Sequence, residues 1–296
     1  MDKAWIEKEM RYWVARAAAM VLSERQFVCL KGLIRTGKWP ELDNPVSIND
    51  KMRWLMLNHR DERLHQLVDK YRVRDFVRER IGHTYLTELY DVYENVRDIN
   101  FNALPERFIL KTNHASGWNV VCLDKNQFDA RRARNQLNKW MNRDYWDHTR
   151  EWAYKGVPRR ILWEQFLYDP EQGGLPRDYK IHCFHGEPKF IQVFEDMDSD
   201  LKRNLYDCEW NQSPITEGLP ECKQPIEKPK KLQEMLWVAR KLSEGLPYVR
   251  VDLYYVREQI YFGEMTIYHD SANSRYKTRE MEKEIGNWLD LEEIGR

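Results

Sequence analysis

Net charge is the first thing this chain lacks. Its 296 residues carry 48 Lys plus Arg against 48 Asp plus Glu, so no global field draws it to nucleic acid or to an anionic membrane. The local basic runs, Arg131-Arg-Ala-Arg134 and Lys228-Pro-Lys-Lys231, are short and read as solvated helix faces. Long apolar runs are missing too. A bilayer span needs about 20 apolar residues. The best stretch, residues 13–22, is shorter and contains Arg16; it reads as a buried helix segment. Cysteine is sparse. The five (Cys29, Cys122, Cys183, Cys208, Cys222) are scattered, and none belongs to a Cys-x-x-Cys pair, which indicates neither a zinc site nor a disulfide framework. They fit reduced thiols in a cytoplasm. The first nine residues are too charged for a signal peptide, so a cytoplasmic location is expected. No internal repeat and no low-complexity tract is found.

What the chain does have is apolar and aromatic content. Hydrophobic residues make up 42%, with 12 Trp and 16 Tyr, enough for a packed core. The length suits one large domain or two moderate ones. The first hundred residues read mainly as helix: residues 5–22, a run after a Ser47 or Asn49 cap, and residues 64–79 at helical spacing, ended by Gly82. Beyond residue 100 the period changes to that of strands. Short strands are expected at 108–111 and 119–123 around a polar loop, at 160–167, 178–184 and 189–194, and near 204–210. Helices are expected at 126–142, 229–245 and 278–291. The fold class is α+β. The expected division is a helical region 1–98, a small lobe 99–162 and a larger lobe 163–296.

The most informative segment is Tyr248-Val-Arg-Val-Asp-Leu-Tyr-Tyr-Val256, followed by three polar residues and Ile260-Tyr-Phe-Gly-Glu-Met-Thr266. It reads as a β-hairpin. With residues 257–259 as the loop, Asp252 lies opposite Glu264 and Arg250 opposite Thr266. Facing side chains sit about 5 Å apart, and like charges there destabilise the pair. Two facing carboxylates therefore ask for a cation. Hard oxygen donors suit Mg²⁺ with substrate phosphates completing its shell. The competing reading is a solvated hairpin carrying incidental acids.

Other signals are individually weaker. Lys111 ends a strand and precedes Ser116-Gly117, a pairing that suits nucleotide phosphates but also fits an ordinary surface lysine. Residues 164–167 (Glu164, Gln165, Phe166, Leu167) could pass between lobes and offer backbone groups to an adenine edge, or be a buried strand. Lys180 and His182 share one face of a strand, and buried basic groups need anionic partners.

Taken in order, these pieces resemble the ATP-grasp superfamily, and within it the TupA-like family of teichuronopeptide biosynthesis. The matching stretches include Asp50-Lys51, Asp69-Lys-Tyr-Arg-Val-Arg74, Phe108-Ile-Leu-Lys111, Asn113-His-Ala-Ser-Gly117, Asp178-Tyr-Lys-Ile-His-Cys-Phe184, Val249-Arg-Val-Asp-Leu-Tyr254 and Tyr261-Phe-Gly-Glu-Met-Thr266. The resemblance covers roughly residues 30 to 290. It implies the ATP-grasp fold, with a nucleotide between two antiparallel-sheet lobes. It also implies ATP and Mg²⁺ as cofactors. Lys111 and Lys180 would contact phosphates, and the loop His114, Ser116, Gly117 would fold over them. Glu164 to Leu167 would line the adenine pocket. Asp252, Glu264 and Thr266 would hold metal, and Arg250, with Lys180 and His182, would serve the reacting groups. Two departures stand out. Thr266 occupies the place where most ATP-grasp enzymes carry Asn, and no glycine follows within residues 268–275.

The resemblance implies a carboxylate–amine ligase working through an acyl phosphate. It would join an amino acid or peptide to a uronic acid of a bacterial surface polysaccharide, alongside other polysaccharide biosynthesis enzymes. The alternatives are an ATP-dependent kinase, a glycosyltransferase-associated capsule protein, or a degenerate scaffold without catalysis. Trp146, Trp152, Tyr154 and Trp210 are candidates for a sugar or partner surface, with core packing as the simpler explanation.

Overall fold

A computed structural model describes residues 3–197, 200–215, 218, 220, 222 and 225–295. Helices open the chain: α1 (Lys3–Val21), α2 (Glu24–Thr36) and α3 (Ile48–Asn58). Ser23 and Gln26 form a reciprocal capping box at the start of α2, and Gly37 closes it at φ 75°, the left-handed position glycine fills without strain. Ser47 caps α3.

The single helix expected at 64–79 is two, α4 (Arg63–Val68) and α5 (Val73–Ile81). The break has a local cause. The Asp69 carboxylate accepts hydrogen bonds from the Tyr71 and Arg72 N–H groups at 2.9 and 3.3 Å, which offers the backbone a turn in place of a helix.

The small sheet holds β1 (Leu89–Tyr93), β2 (Phe108–Thr112), β3 (Asn119–Cys122) and β4 (Ile161–Glu164), in the order β1-β4-β2-β3 with every pair antiparallel. α6 (Ala130–Met141) and α7 (Trp146–Thr149) lie between β3 and β4 in sequence. The edge strand β1 went unread because Leu-Tyr-Asp-Val-Tyr is short and polar-laced. It falls inside the stretch assigned to the helical region.

The large sheet holds β5 (Asp178–Phe184), β6 (Glu187–Met197), β7 (Asp200–Tyr206), β8 (Tyr248–Val256) and β9 (Gln259–Thr266), in the order β7-β6-β5-β8-β9, again antiparallel throughout. β7 ends at Tyr206 rather than running on to 210. α8 (Leu232–Ser243) covers one face, burying Val238, Ala239 and Leu242 toward Val249, Val251 and Leu253 of β8. α9 (Arg279–Asn287) closes the chain and packs on α3. The architecture is α+β.

Two apolar cores result. Phe108, Leu110, Leu137 and Ile161 centre the small lobe. The other core joins Phe27, Met52, Leu55 and Val77 of the N-terminal helices to Ile181, Val193 and Val251 of the large sheet. The N-terminal helices therefore share the large lobe's core. One burial expectation fails, and the core-packing explanation of the aromatics holds. Residues 13–22 are not a buried segment, because Trp13, Val14, Met20 and Val21 stand 52–86% exposed. Trp146 and Tyr154 are buried, and Trp210 stacks on Tyr206 at 4.2 Å, so these aromatics are packing residues. Among the described residues no helix is long and apolar enough to cross a membrane.

Candidate functional site

The site is built on the cleft-facing side of the β8–β9 hairpin. Strand alternation puts Val249, Val251 and Leu253 beneath α8 and leaves Arg250, Asp252 and Tyr254 on the opposite face. Asp252 pairs with Glu264 and Arg250 with Thr266, the register expected from the sequence. The route to it differs. The turn has two residues, not three: Val256 pairs with Gln259, and Arg257 and Glu258 both take left-handed conformations, φ 50° and 61°. That is the turn geometry whose twist suits a hairpin, although Gly and Asn adopt it more cheaply. The one-residue slip is absorbed by a bulge between Asp252 and Leu253, opposite Gly263. A Cβ on Gly263 would lie 3.0 Å from the Asp252 carbonyl oxygen and 3.1 Å from the Tyr254 ring, so the bulge depends on a residue without one.

Around the hairpin lies a cleft of about 560 Å³. It is closed on the small-lobe side by Lys111, Ser116, Gly117 and Asn119. Arg250 forks onto Asp252, Nε to Oδ1 and Nη2 to Oδ2, both at 2.6 Å. It also donates to Thr266 Oγ1 at 3.0 Å and meets His269 Nδ1 at 2.8 Å. Lys180 bridges Asp252 at 2.7 Å and the Asp178 carboxylate. Burial alone would raise the Glu264 carboxyl, but Lys70, Arg250 and Lys180 outweigh it and hold it down at about 2. Burial pushes the Asp178 carboxyl up, a rise that Asp252 reinforces and Lys180 opposes. Burial would lower Lys180, but Asp252 and Asp178 more than offset that. Every strong charge here is balanced by an opposite one, as buried charges require.

Lys70 was not singled out from the sequence, although its motif, Asp69-Lys-Tyr-Arg-Val-Arg74, was noted. The α4–α5 break delivers it to the cleft. Its Nζ reaches Glu264 at 3.1 Å and the Ala115 carbonyl at 2.7 Å, tying the cleft face of the hairpin to the small-residue loop. Asn113 makes the second tie, donating to Asp69 at 2.8 Å and to the Pro158 carbonyl at 2.7 Å. A helix-breaking Asp ahead of a Lys was the available signal.

The remaining predicted residues are distributed as follows. Lys111 pairs with Glu164 at 2.9 Å, and Arg74 approaches the same carboxylate at 3.4 Å. Glu164 therefore orients Lys111, while Gln165, Phe166 and Leu167 line a separate cleft of about 510 Å³ with Val256 and Tyr261. Register places Tyr261 beside Tyr254, so this second cleft adjoins the first along the hairpin. The His114 imidazole faces away from the cleft, edge-on to Trp118 at 5.5 Å and 3.3 Å from the Trp140 carbonyl. Burial lowers it to about 4. His182 lies beneath the cleft floor, stacked on Phe190 at 4.0 Å, 2.8 Å from the Tyr248 hydroxyl and edge-on to His269. Burial holds its pKa well below the ordinary value, with His269 and Arg250 adding to the effect. It is therefore the neutral support of His269. Thr266 acts as the acceptor for Arg250.

Among the described residues no group of three or more His, Cys, Asp or Glu side chains is arranged to hold a metal ion. The pair Asp252 and Glu264 supplies two hard oxygen donors facing one cleft. Such a pair fits a divalent cation whose shell is completed by phosphate oxygens, and Lys70, Lys180 and Arg250 stand beside it. The cleft is equipped to hold a polyphosphate and a hard cation together.

After β9 the backbone takes three consecutive left-handed non-glycine residues, Asp270, Ser271 and Ala272, at φ 48°, 52° and 59°. Strain of this kind persists only where surroundings over-determine it. Here Asn49 brackets Ser274 through its N–H and carbonyl at 3.1 and 2.9 Å. Arg53 holds Asn273 at 3.1 Å, and Ser271 donates to Glu151 at 2.6 Å. The N-terminal helices thus fix the segment carrying His269 and Asp270 into the cleft wall.

A family model described as TupA-like ATP-grasp matches residues 50–290. No curated protein matches the chain. Among solved structures the chain is similar to D-alanine–D-alanine ligase from Bacillus anthracis complexed with ATP, at 15% identity over 68% of this chain and 55% of that one, TM-score 0.41. It is similar to the ATP-grasp ligase PsnB complexed with minimal precursor, at 12% identity over 74% and 58%, TM-score 0.40. It is also similar to the ADP complex of purK, N5-carboxyaminoimidazole ribonucleotide synthetase, at 10% identity over 83% and 58%, TM-score 0.42. The chain thus spans under two thirds of the length of each of these three.

Proposed function

Because the chain belongs to the TupA-like ATP-grasp family, we propose that it is an ATP- and Mg²⁺-dependent ligase that joins a carboxylate to an amine. The observation that carries this reading is the facing pair Asp252 and Glu264, ringed by Lys70, Lys180 and Arg250 in one cleft. Gln165 to Leu167 are suited to hold the adenine and Lys111 and Lys180 the phosphates. Asp252 and Glu264 would hold Mg²⁺, which neutralises charge on the phosphate oxygens when bound.

The carboxylate oxygen attacks the γ-phosphorus of ATP, the bond to the β–γ bridging oxygen breaks, and ADP leaves. The amine then attacks the acyl phosphate carbonyl, loses its proton, and expels phosphate as the amide forms. Arg250 is placed to stabilise charge on the transferred group and then on the tetrahedral intermediate. We propose further that the carboxylate is a uronic acid of a surface polysaccharide and the amine an amino acid or peptide, as the sequence resemblance implies. The test is a coupled assay for ADP with mass spectrometry of the products. An amide with equimolar ADP and phosphate supports the ligase. A phosphorylated acceptor without free phosphate would replace it with a kinase.

A further inference from the structure

Arg250 commits most of its hydrogen-bonding capacity to the protein. A guanidinium has five N–H donors and no acceptor. Nε and Nη2 fork onto the Asp252 carboxylate, each at 2.6 Å. The second Nη2 hydrogen goes to Thr266 Oγ1 at 3.0 Å. Nη1 meets His269 Nδ1 at 2.8 Å. Four donors are thereby taken. Among the described residues no acceptor takes the fifth, which belongs to Nη1. Arg250 and His269 are both buried, and both line the main cleft.

The His269 contact has one possible polarity. The guanidinium cannot accept, so Nδ1 is the acceptor and carries no proton. The ring proton then sits on Nε2, 3.7 Å from the Asp270 carboxylate. Two sets of contacts fix where the ring stands. His182 meets it edge-on at 4.8 Å and 88°, and His182 is itself stacked on Phe190 at 4.0 Å and 2.8 Å from the Tyr248 hydroxyl. The backbone that follows His269 is the left-handed run at residues 270–272. Asn49 and Arg53 of α3 hold that run through Ser274 and Asn273. A helix some two hundred residues away in sequence thus sets the place of this imidazole.

The contact matters because Asp252 has a second task. It is the proposed cation ligand, so an Arg250 anchored by Asp252 alone would shift with whatever the cation leaves of that carboxylate. Thr266 and His269 are anchors outside the carboxylate pair. Thr266 restrains Nη2, which the fork already holds. His269 holds Nη1, the nitrogen that carries the remaining donor.

We propose that His269 is the positioning residue of Arg250: by accepting at Nη1 it fixes the guanidinium so that a single Nη1 N–H is presented to the reacting group. The assignment rests on the ligase reading for what Arg250 does. It also gives the N-terminal helices a part in the reaction, because α3 secures the segment that carries His269.

The test compares the full wild-type chain with His269→Asn and His269→Gln. Asn carries its acceptor near the place of Nδ1 and Gln near the place of Nε2, so the two differ mainly in the contact to Arg250. Turnover is read as ADP released from ATP and Mg²⁺, with galacturonate and glycine as probe substrates. His269→Asn should keep kcat within about threefold, and His269→Gln should lose roughly tenfold or more, the scale of a misplaced reacting group. The KM for ATP should move little in either, and urea denaturation checks that both variants fold. In an Arg250→Gln background, adding His269→Gln should cost nothing further, because the residue acts through Arg250. Equal losses in the two single variants, or a loss that adds to that of Arg250→Gln, would overturn the assignment. Nitrogen NMR of wild type labelled with ¹⁵N-histidine and ¹⁵N-arginine reads the contact without turnover, in the presence of Mg²⁺ and a non-hydrolysable ATP analogue. The expected result is an unprotonated His269 Nδ1 coupled across the hydrogen bond to Arg250 Nη1. A protonated Nδ1, or no coupling, would overturn it. If wild type releases no ADP with the probes while the coupling is present, the ligase reading fails and His269 still positions Arg250.

Discussion

Asp252 and Glu264 face each other although the turn joining their strands is one residue too short to bring them there. The pairs next to the turn run one step out of phase with the pair that matters. Gly263 takes up the difference in a bulge that turns Glu264 into the cleft. Gly263→Ala should therefore be costly out of proportion to its size. The added methyl meets a backbone carbonyl at 3.0 Å and a ring at 3.1 Å, and overpacking of this kind costs about 1–3 kcal/mol. Urea denaturation measures that loss. Stabilisation by Mg²⁺ and ATP should fall further, because relieving the clash moves Glu264. An unchanged nucleotide response would show that the bulge does not aim the carboxylate.

Asp252→Asn tests the centre of the charge network. It leaves the shape of the side chain and removes the charge that Arg250 and Lys180 share at 2.6 and 2.7 Å. Loss of one partner from a buried ion pair costs about 3–5 kcal/mol. Turnover should fall by roughly 10²–10³, the scale of removing one preorganised electrostatic contact. ADP release measures the second effect and chemical denaturation the first. Full ADP release from a folded variant would remove Asp252 from the machinery.

The hairpin and its facing acids were legible because strand alternation and β-branched, aromatic composition survive in sequence. Lys180 followed from the same alternation. The residues that escaped notice, or whose partners the pattern did not show, are those fixed by tertiary contacts. Lys70 lies where Asp69 interrupts a helical pattern, and the apolar spacing on both sides concealed the interruption. Glu164 was expected at an adenine wall; its carboxylate pairs with Lys111 of β2 and Arg74 of α5, partners far away in sequence. His114 belongs to the small-residue loop, but its side chain turns into the small-lobe core. The exposed face of α1 was unreadable for the opposite reason: an Ala-rich, Trp-bearing helix has a core-like composition whether or not anything covers it.

Glu164 gives a prediction that a merely structural role would not. It pairs with both Lys111 and Arg74, so Glu164→Gln frees Lys111 to leave its place at the cleft wall. The KM for ATP should rise roughly tenfold, equivalent to about 1.4 kcal/mol of lost binding, with kcat changing less. Lys111→Gln should raise the same constant at least as much, and the double variant should add little. Additive effects of the two substitutions would show that Glu164 acts independently of Lys111.

Glu151 should make stability depend on pH in the neutral range. Its carboxylate is buried behind the strained segment, accepting from Ser271 at 2.6 Å. Burial raises its pKa from 4.5 to about 7, with Lys31 and Ser271 opposing the rise and Asp270 adding to it. The folded state thus holds the proton more tightly than the unfolded chain. A raised folded pKa means that the contribution is complete below about pH 4.5 and is lost as pH climbs through 7. A shift of that size corresponds to about 3 kcal/mol at most. Urea midpoints measured from pH 5 to 8 should decline in wild type. In Glu151→Gln, which mimics the protonated acid, the decline should flatten and the variant should be the more stable protein at pH 8. A wild-type profile that is flat, or that rises with pH in step with the variant, would mean that Glu151 keeps its charge in the folded protein. In that case Lys31, not a proton, neutralises it.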